Sequence, residues 1–132
     1  IGAKILTLGG VQACGDRFVD CNPFEVLAYF RDAEAVVTDT FHGTIFSIIN
    51  DVPFATLIRP SLGKAYGNEE KLSYLLEMFG LGSRRLGDAT DLTRLLAERP
   101  DTGSVQGILD RERRRTAEYL ARVVSDADRR HH

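Results

Sequence analysis

The chain has 132 residues, a length that suits one domain with a single hydrophobic core. Its composition, 43% hydrophobic and 27% charged, excludes a disordered chain. The formal net charge of −2 gives no electrostatic reason to expect nucleic acid or a membrane surface as a partner. No apolar run in the sequence reaches the length of a membrane-spanning helix.

The first part of the chain predicts a strand, a loop and a helix. The β-rich run 4–8 stops at two glycines, which predicts a strand and a turn, and residues 9–21 show no period and predict a loop. Asn22 can then cap a helix that has Pro23 at its first position. Glu25 follows the cap by three residues, the spacing of a capping box.

The middle of the chain predicts a strand–helix–strand unit. Residues 35–38 are apolar and largely β-branched, as in a buried strand of a parallel sheet. A helix follows at once, and residues 53–58 form the next candidate strand. One face of that helix carries Ile45, Ile48 and Ile49. We therefore expect an α/β fold in which helices flank a parallel sheet, with a right-handed crossover.

Three further helices are predicted after a mobile loop over residues 59–67, which contains Pro60, Gly63 and Gly67. The first begins near Asn68 and stops at Gly80, and its apolar stripe comprises Leu72, Leu75, Leu76 and Phe79. A short second helix follows Asp91. A long third helix covers about 104–125 and lies over the surface of the domain. Its predicted inward face comprises Val105, Ile108, Leu109, Leu120 and Val123.

The two ends of the chain and its two cysteines lead to further predictions. The chain starts without methionine and ends in two histidines that resemble the stub of an affinity tag, so we expect a piece of a longer protein. The predicted division is one domain over 1–125 and a tail over 126–132. Cys14 and Cys21 match no common zinc spacing and are expected to be reduced thiols.

The candidate site is the turn that follows the strand 35–38. Parallel α/β sheets bind ligands at the carboxyl ends of their strands, and here Asp39 and Thr40 lead into a helix that begins near His42. The free N–H groups of a helix N-terminus attract anions. His42 can donate a hydrogen bond, carry a positive charge or transfer a proton near neutral pH, and Gly43 lets an anion approach the backbone closely. The residues alone thus predict an anion-binding α/β domain.

Structural alternatives exist for each of these residues. Asp39 or Thr40 can serve only as the helix cap. Phe41 is expected in the core, and a lone histidine is more often structural than functional. The basic cluster at 111–115 is interpreted as a solvated helix face, because acidic residues interleave with it.

Residues 33–49 read Ala-Glu-Ala-Val-Val-Thr-Asp-Thr-Phe-His-Gly-Thr-Ile-Phe-Ser-Ile-Ile, which closely resembles the signature of the polysaccharide pyruvyl transferase family. That family carries a Thr-Asp-Ser-Phe-His-Gly type of segment followed by a Phe-Ser-Ile type of helix. Thr40 stands where serine is more usual and keeps the hydroxyl. Neighbouring family segments are similar to Pro23-Phe24-Glu25, Val52-Pro53-Phe54, Leu75-Leu76, and Phe79-Gly80-Leu81 with Arg84, so the resemblance spans roughly 22–86.

The resemblance implies a Rossmann-like sheet in the C-terminal half of a GT-B fold, whose N-terminal domain would be a partner in the same protein. It implies transfer of a pyruvyl group from phosphoenolpyruvate to a sugar of a bacterial cell-surface polysaccharide or to a lipid-linked oligosaccharide precursor, forming a cyclic ketal. This chain would be the donor-binding half, inactive by itself. No metal or cofactor beyond the donor substrate is expected. The implied location is cytoplasmic, with the inner face of the membrane as an alternative.

The residue pattern and the family resemblance together predict roles for several residues. His42 is the candidate catalytic acid–base or phosphate ligand. The predicted substrate-binding residues of the signature are Asp39, Thr40, Gly43 and Thr44. Arg59 and Arg84 are further candidates for contacts with the anion.

Two competing functions remain open. One is a GT-B glycosyltransferase that uses a nucleotide sugar, since Glu69 and Glu77 have the E-x7-E spacing of some such enzymes. Both glutamates fall on one ordinary amphipathic helix, which makes coincidence the simpler interpretation. The other is an interaction module that has kept the fold and lost catalysis. Binding of phosphoenolpyruvate or of a nucleoside diphosphate distinguishes the enzymes.

Overall fold

Short parallel strands alternate with helices along the chain. A computed structural model describes residues 2–59 and 68–130. The strands are β1 (Leu6–Leu8), β2 (Arg17–Val19), β3 (Val36–Thr38) and β4 (Phe54–Thr56). The helices are α1 (Pro23–Asp32), α2 (Phe41–Ile49), α3 (Asn68–Met78), α4 (Ala89–Ala97) and α5 (Thr102–Arg130), and a 3-10 turn covers Gly82–Arg84. The predicted loop over 60–67 lies outside the described residues.

The strands form two separate parallel pairs, β1 with β2 and β3 with β4. In the second pair Val36 lies opposite Phe54 and Thr38 lies opposite Thr56. Thr56 also forms a parallel bridge with Arg85 on its other side. The α/β class and the parallel strand–helix–strand unit are therefore confirmed. The described residues contain two-stranded sheets rather than the single larger sheet that we expected.

Strand β2 was not predicted, because residues 9–21 read as a loop. Only three residues pair, too few to show an alternating pattern. The pairing is fixed by contacts with a distant segment: the N–H group of Ile5 donates to the Asp16 carboxylate at 2.7 Å, and the N–H group of Asp16 donates to the Ile5 carbonyl at 2.8 Å. Such reciprocal bonds depend on tertiary proximity and leave no local signal in the sequence.

Helix boundaries follow the predicted capping residues. Asn22 and Glu25 form the capping box of α1, and Pro23 occupies its first turn. Helix α3 contains Leu72, Leu75 and Leu76 of the predicted stripe and ends just before Phe79, and Gly80 has a positive φ of 66°, as expected for a left-handed C-terminal stop. Helix α4 begins earlier than expected, because Asp88 rather than Asp91 caps it.

The hydrophobic core lies between β4, α2, α3 and the start of α5. Its buried residues are Ile48, Phe54, Ile58, Leu72, Leu75, Leu76, Phe79, Leu81, Val105 and Leu109. Strand β4 is buried along its whole length, as expected for a strand covered on both faces. The core thus surrounds the strand that neighbours the candidate site.

Helix α5 differs from its prediction in length and in position. It runs to Arg130, beyond the expected end near 125, because nothing after Gly107 breaks a helix. Val105 and Leu109 are buried, but Leu120 and Val123 are 54% and 47% exposed. The prediction that the last two face inward is wrong, since no other described element covers residues 113–129.

Two smaller findings concern the cysteines and the membrane. Cys14 and Cys21 are free thiols. Among the described helices, none combines the length and the apolar character needed to cross a membrane.

Candidate functional site

The candidate site lies where β3 ends and α2 begins. Register places Thr38 at the end of β3 beside Thr56 at the end of β4, and the N–H group of Leu57 donates to the Thr38 carbonyl at 2.8 Å. The carboxyl ends of both strands therefore meet at one edge. Helix α2 starts at Phe41, one residue before His42, as predicted. The chain thus brings a helix N-terminus to the carboxyl edge of a parallel pair, the position at which α/β folds bind ligands.

Two threonine hydroxyls order the turn between β3 and α2. The N–H group of Thr40 donates to the Thr38 hydroxyl at 3.2 Å, and the two hydroxyl oxygens lie 3.1 Å apart. The N–H group of Gly43 donates to the Thr40 hydroxyl at 3.0 Å, which makes Thr40 the N-cap of α2. The capping alternative for Thr40 is confirmed. Thr38 belongs to the same hydrogen-bonded network but was not among the predicted site residues. Its position two residues before the N-cap could have identified it from the sequence, because a hydroxyl there can bond to the turn.

Gly43 is buried in the first turn of α2, where the helix lies close to the end of β3. A Cβ atom on this residue would lie 2.2 Å from the Thr38 hydroxyl oxygen and 2.8 Å from that of Thr40. Both distances are far below van der Waals contact. The structure therefore requires glycine here because two threonine side chains of this chain occupy the space, whereas the sequence suggested room for a bound anion.

Thr44 anchors α2 to β4 from the inside. Its side chain is 0% exposed, its hydroxyl donates to the Thr40 carbonyl at 3.0 Å, and the hydroxyl oxygens of Thr44 and Thr56 are 3.1 Å apart. Both threonines are buried, so this contact is a polar bond inside the core. It holds the first turn of α2 against β4. Thr44 thus supports the geometry of the site from within the core. Its predicted contact with a ligand stays a prediction.

His42 lies at the exposed rim of this turn. Its ring centroid is 6.1 Å from that of Phe41, in an edge-to-face arrangement, and 6.2 Å from that of Phe46. In the described part of the chain, no group forms a hydrogen bond with the His42 ring. The N–H groups of Phe41 and His42 also lack an acceptor among the described residues, since they belong to the first turn of α2. Three donor positions are therefore available to a ligand at one place.

Asp39 and Arg59 meet at the same edge. Nη2 of Arg59 lies 3.0 Å from Oδ2 of Asp39, and both side chains are largely solvent-exposed. Asp39 follows the last residue of β3 along the chain, and Arg59 follows β4. An exposed ion pair of this kind contributes about 0–1 kcal/mol to stability. The guanidinium is thus held near the α2 N-terminus by a weak interaction that an incoming anion can replace.

Arg84 lies in a different part of the molecule. Its side chain is 5% exposed, and Nη1 donates to the carbonyls of Leu95 and Glu98 at 2.7 and 2.6 Å. Desolvation by burial lowers the pKa of the Arg84 guanidinium from its usual value. These carbonyls end α4, where a cation also meets the negative end of the helix dipole. The structure therefore gives Arg84 a role in holding α4 in place and does not bring it to the β3–α2 turn.

No group of three or more His, Cys, Asp or Glu side chains with metal-binding geometry occurs within residues 2–59 and 68–130. The expectation that the site needs no metal stays a prediction. The donors at the site are N–H groups, an imidazole and a guanidinium, and these suit an anionic ligand.

Comparison with known proteins agrees with the sequence resemblance. The family model described as polysaccharide pyruvyl transferase matches residues 17–60, which include β2, α1, β3, α2 and β4. The match therefore contains the whole β3–α2 turn, with His42 and Arg59, and confirms the family resemblance. Neither the curated proteins nor the solved structures contain a match to this chain.

Proposed function

We propose that this chain is the donor-binding half of a polysaccharide pyruvyl transferase, which transfers a pyruvyl group from phosphoenolpyruvate to a sugar. One observation carries the proposal: the exposed His42 ring lies at the carboxyl edge of β3 and β4, together with the N–H groups of Phe41 and His42, which have no acceptor within residues 2–59 and 68–130. The family match over the same segment supports it. In this proposal the two parallel strand pairs belong to the Rossmann-like sheet of a GT-B half.

Phosphoenolpyruvate suits these donors because it carries a phosphate and a carboxylate. One anionic group accepts hydrogen bonds from the first turn of α2, where the N–H groups and the helix dipole both favour negative charge. The imidazole of His42 donates to the same group or protonates the substrate. Arg59 turns from Asp39, 3.0 Å away, to the second anionic group.

The reaction proceeds through a cationic carbon. A proton is delivered to the methylene carbon of the enol, and the adjacent carbon becomes electrophilic. A sugar hydroxyl attacks that carbon and loses its proton. The second hydroxyl then displaces phosphate and closes the cyclic ketal. His42 is the candidate group for proton delivery, and the acceptor sugar is held by the domain that faces this one.

Substitution of His42 in the full-length protein tests the proposal most directly. If His42 transfers a proton, His42→Ala lowers kcat by about 10²–10⁴. If it only holds the donor, the loss appears as weaker phosphoenolpyruvate binding, by about 1.5–3 kcal/mol for a charge-assisted hydrogen bond. His42→Gln separates the two, because glutamine keeps a donor but does not titrate. Unchanged turnover and unchanged donor affinity in a folded His42→Ala enzyme would show that the site is elsewhere.

Ligand titration of the present chain tests the site without the other domain. Phosphoenolpyruvate should shift the amide NMR signals of Phe41 and His42, and Arg59→Ala should weaken that effect. Arg31→Ala is the matched control, since Arg31 is also an exposed arginine paired with a carboxylate, Asp32, at 2.8 Å. A nucleoside diphosphate that shifts these signals where phosphoenolpyruvate does not would favour the glycosyltransferase alternative. We expect no pyruvyl transfer by the chain alone.

A further inference from the structure

Two threonine hydroxyls at the β3–α2 turn share a hydrogen bond and leave one hydrogen over. The hydroxyl oxygens of Thr38 and Thr40 lie 3.1 Å apart, so one hydroxyl donates its hydrogen to the other. Thr38 also accepts from the N–H group of Thr40 at 3.2 Å, and Thr40 accepts from the N–H group of Gly43 at 3.0 Å. Within residues 2–59 and 68–130 neither hydroxyl has a further partner. The pair therefore holds two hydroxyl hydrogens and uses one of them.

The direction of the bond between the two hydroxyls decides which hydrogen is left over. A hydroxyl group accepts up to two hydrogen bonds and donates one. If Thr40 donates to Thr38, both lone pairs of the Thr38 oxygen are occupied and the Thr38 hydrogen is unused. If Thr38 donates to Thr40, both lone pairs of the Thr40 oxygen are occupied and the Thr40 hydrogen is unused. In either arrangement one hydroxyl hydrogen remains for an acceptor that the described part of the chain does not supply.

Exposure distinguishes the two arrangements. Thr40 is exposed and is the N-cap of α2, whereas Thr38 is half-buried. The Thr38 oxygen also lies against the backbone of α2, since a Cβ atom on Gly43 would be 2.2 Å from it. An acceptor that approaches the helix N-terminus from solvent therefore reaches the Thr40 hydrogen. Binding of such an acceptor favours the arrangement in which Thr38 donates to Thr40.

We propose that Thr38 is a positioning residue of the donor site: its hydroxyl donates to Thr40 and thereby directs the Thr40 hydrogen to an anionic group of the donor substrate. This role rests on the proposed function and adds Thr38 to its site. Capping uses a lone pair of the Thr40 hydroxyl and ligand binding uses its hydrogen, so Thr40 performs both roles at once. Its hydrogen joins the N–H groups of Phe41 and His42 at the positive end of the α2 dipole.

Titration of the 132-residue chain with phosphoenolpyruvate and with inorganic phosphate, followed by the amide NMR signals of Phe41 and His42, tests the proposal. Thr40→Gly should weaken binding on the order of tenfold, as for one lost hydrogen bond to a charged group, while glycine still serves as an N-cap. Thr40→Ser keeps the hydroxyl and should retain the affinity. Thr38→Val should weaken binding by a smaller factor of about three, because the Thr40 hydrogen loses its orienting partner. Thr38→Ser should restore the affinity.

A double-mutant cycle separates positioning from a direct contact of Thr38 with the ligand. Because Thr38 acts through the Thr40 hydroxyl, Thr38→Val should not change the anion affinity of the Thr40→Gly chain. The matched control is Thr90→Val, at an exposed threonine in the first turn of α4 whose hydroxyl bonds to the N-cap Asp88, and it should leave the affinity unchanged. Urea denaturation of each variant checks that the chain remains folded.

The outcomes distinguish failure of the positioning role from failure of the proposed function. A parent chain whose Phe41 and His42 signals neither anion shifts contradicts both. A parent that binds phosphoenolpyruvate at these signals, with a Thr40→Gly chain that binds it equally well, overturns the role of the hydroxyl pair alone. Equal losses from Thr38→Val in the parent and in the Thr40→Gly chain also overturn it, since Thr38 would then contribute independently of Thr40.

Discussion

The strand pairs β1–β2 and β3–β4 are built alike, but the second pair contains β4, a strand that is buried along its whole length. Each has three residues per strand and parallel pairing. All three residues of β4 are 0% exposed, whereas Leu6 in β1 and Phe18 in β2 are 44% and 42% exposed. Helices α2 and α4 pack against β4, and α3 completes the core around it. The ladder of hydrogen bonds is thus common to both pairs, and the cover of helices distinguishes them.

This difference indicates where the stability of the chain resides. Burial of a large apolar side chain contributes about 1.5–3 kcal/mol, while a two-stranded sheet is marginal in water by itself. The β3–β4 pair should therefore unfold together with the core. The β1–β2 pair should contribute little, since Val19 is the one buried residue of its two strands. The candidate site lies on the more stable of the two pairs, which keeps the β3–α2 turn in a fixed geometry.

The largest expected effect is that of Phe54→Ala in β4. Phe54 is 0% exposed and belongs to the core cluster, so its truncation leaves a cavity and should lower the free energy of unfolding by about 3–5 kcal/mol. Urea denaturation followed by circular dichroism measures the loss. A cost below about 1 kcal/mol would contradict the assignment of the stable core to the surroundings of β4.

An intermediate effect is expected for the polar bond that fastens α2 to β4. Thr44→Val leaves the buried Thr56 hydroxyl without this partner and should cost about 1–3 kcal/mol. Replacing both threonines by valine should cost less than the sum of the single changes, because no orphan hydroxyl remains. A double-mutant cycle in urea measures the coupling, with Thr93→Val, at an exposed threonine of α4, as control. Strict additivity would show that the two hydroxyls do not depend on each other.

The smallest effect is expected for Phe18 in the β1–β2 pair. Phe18→Ala removes the same side chain as Phe54→Ala, but from the exposed β1–β2 pair, and should change the free energy of unfolding by no more than about 0.5 kcal/mol. The same urea titration applies. A cost that approaches that of Phe54→Ala would show that the two strand pairs share one core after all.

Local features of the fold were predicted well from the sequence. Asn22 with Glu25 marked the start of α1, and Gly80 marked the stop after α3, as the structure shows. The end of β3 and the start of α2 at Phe41 were also predicted, and with them the position of His42. Capping bonds and backbone preferences act over three or four residues, so the information for them is contained in a short stretch of chain.

Features that depend on distant residues were predicted poorly. Strand β2 exists through its bonds to residue Ile5, eleven or more positions away. Arg84 resembled an anion ligand, yet its guanidinium reaches the carbonyls that end α4. Leu120 continues an inward-facing pattern on α5 that has no partner on the described chain. Each error has the same origin, since a periodic pattern or a charge does not reveal which surface lies opposite it.

The β3–α2 turn shows both kinds of information in one place. By itself, the sequence determined that a strand would end beside a capped helix N-terminus with His42 on its first turn, because caps, helix dipoles and strand propensities are local. Only the tertiary structure decided that Gly43 makes room for Thr38 and that Thr44 bonds to Thr56. Those roles arise from the distance between α2 and its two neighbouring strands, which the packing of the core sets and no single segment encodes.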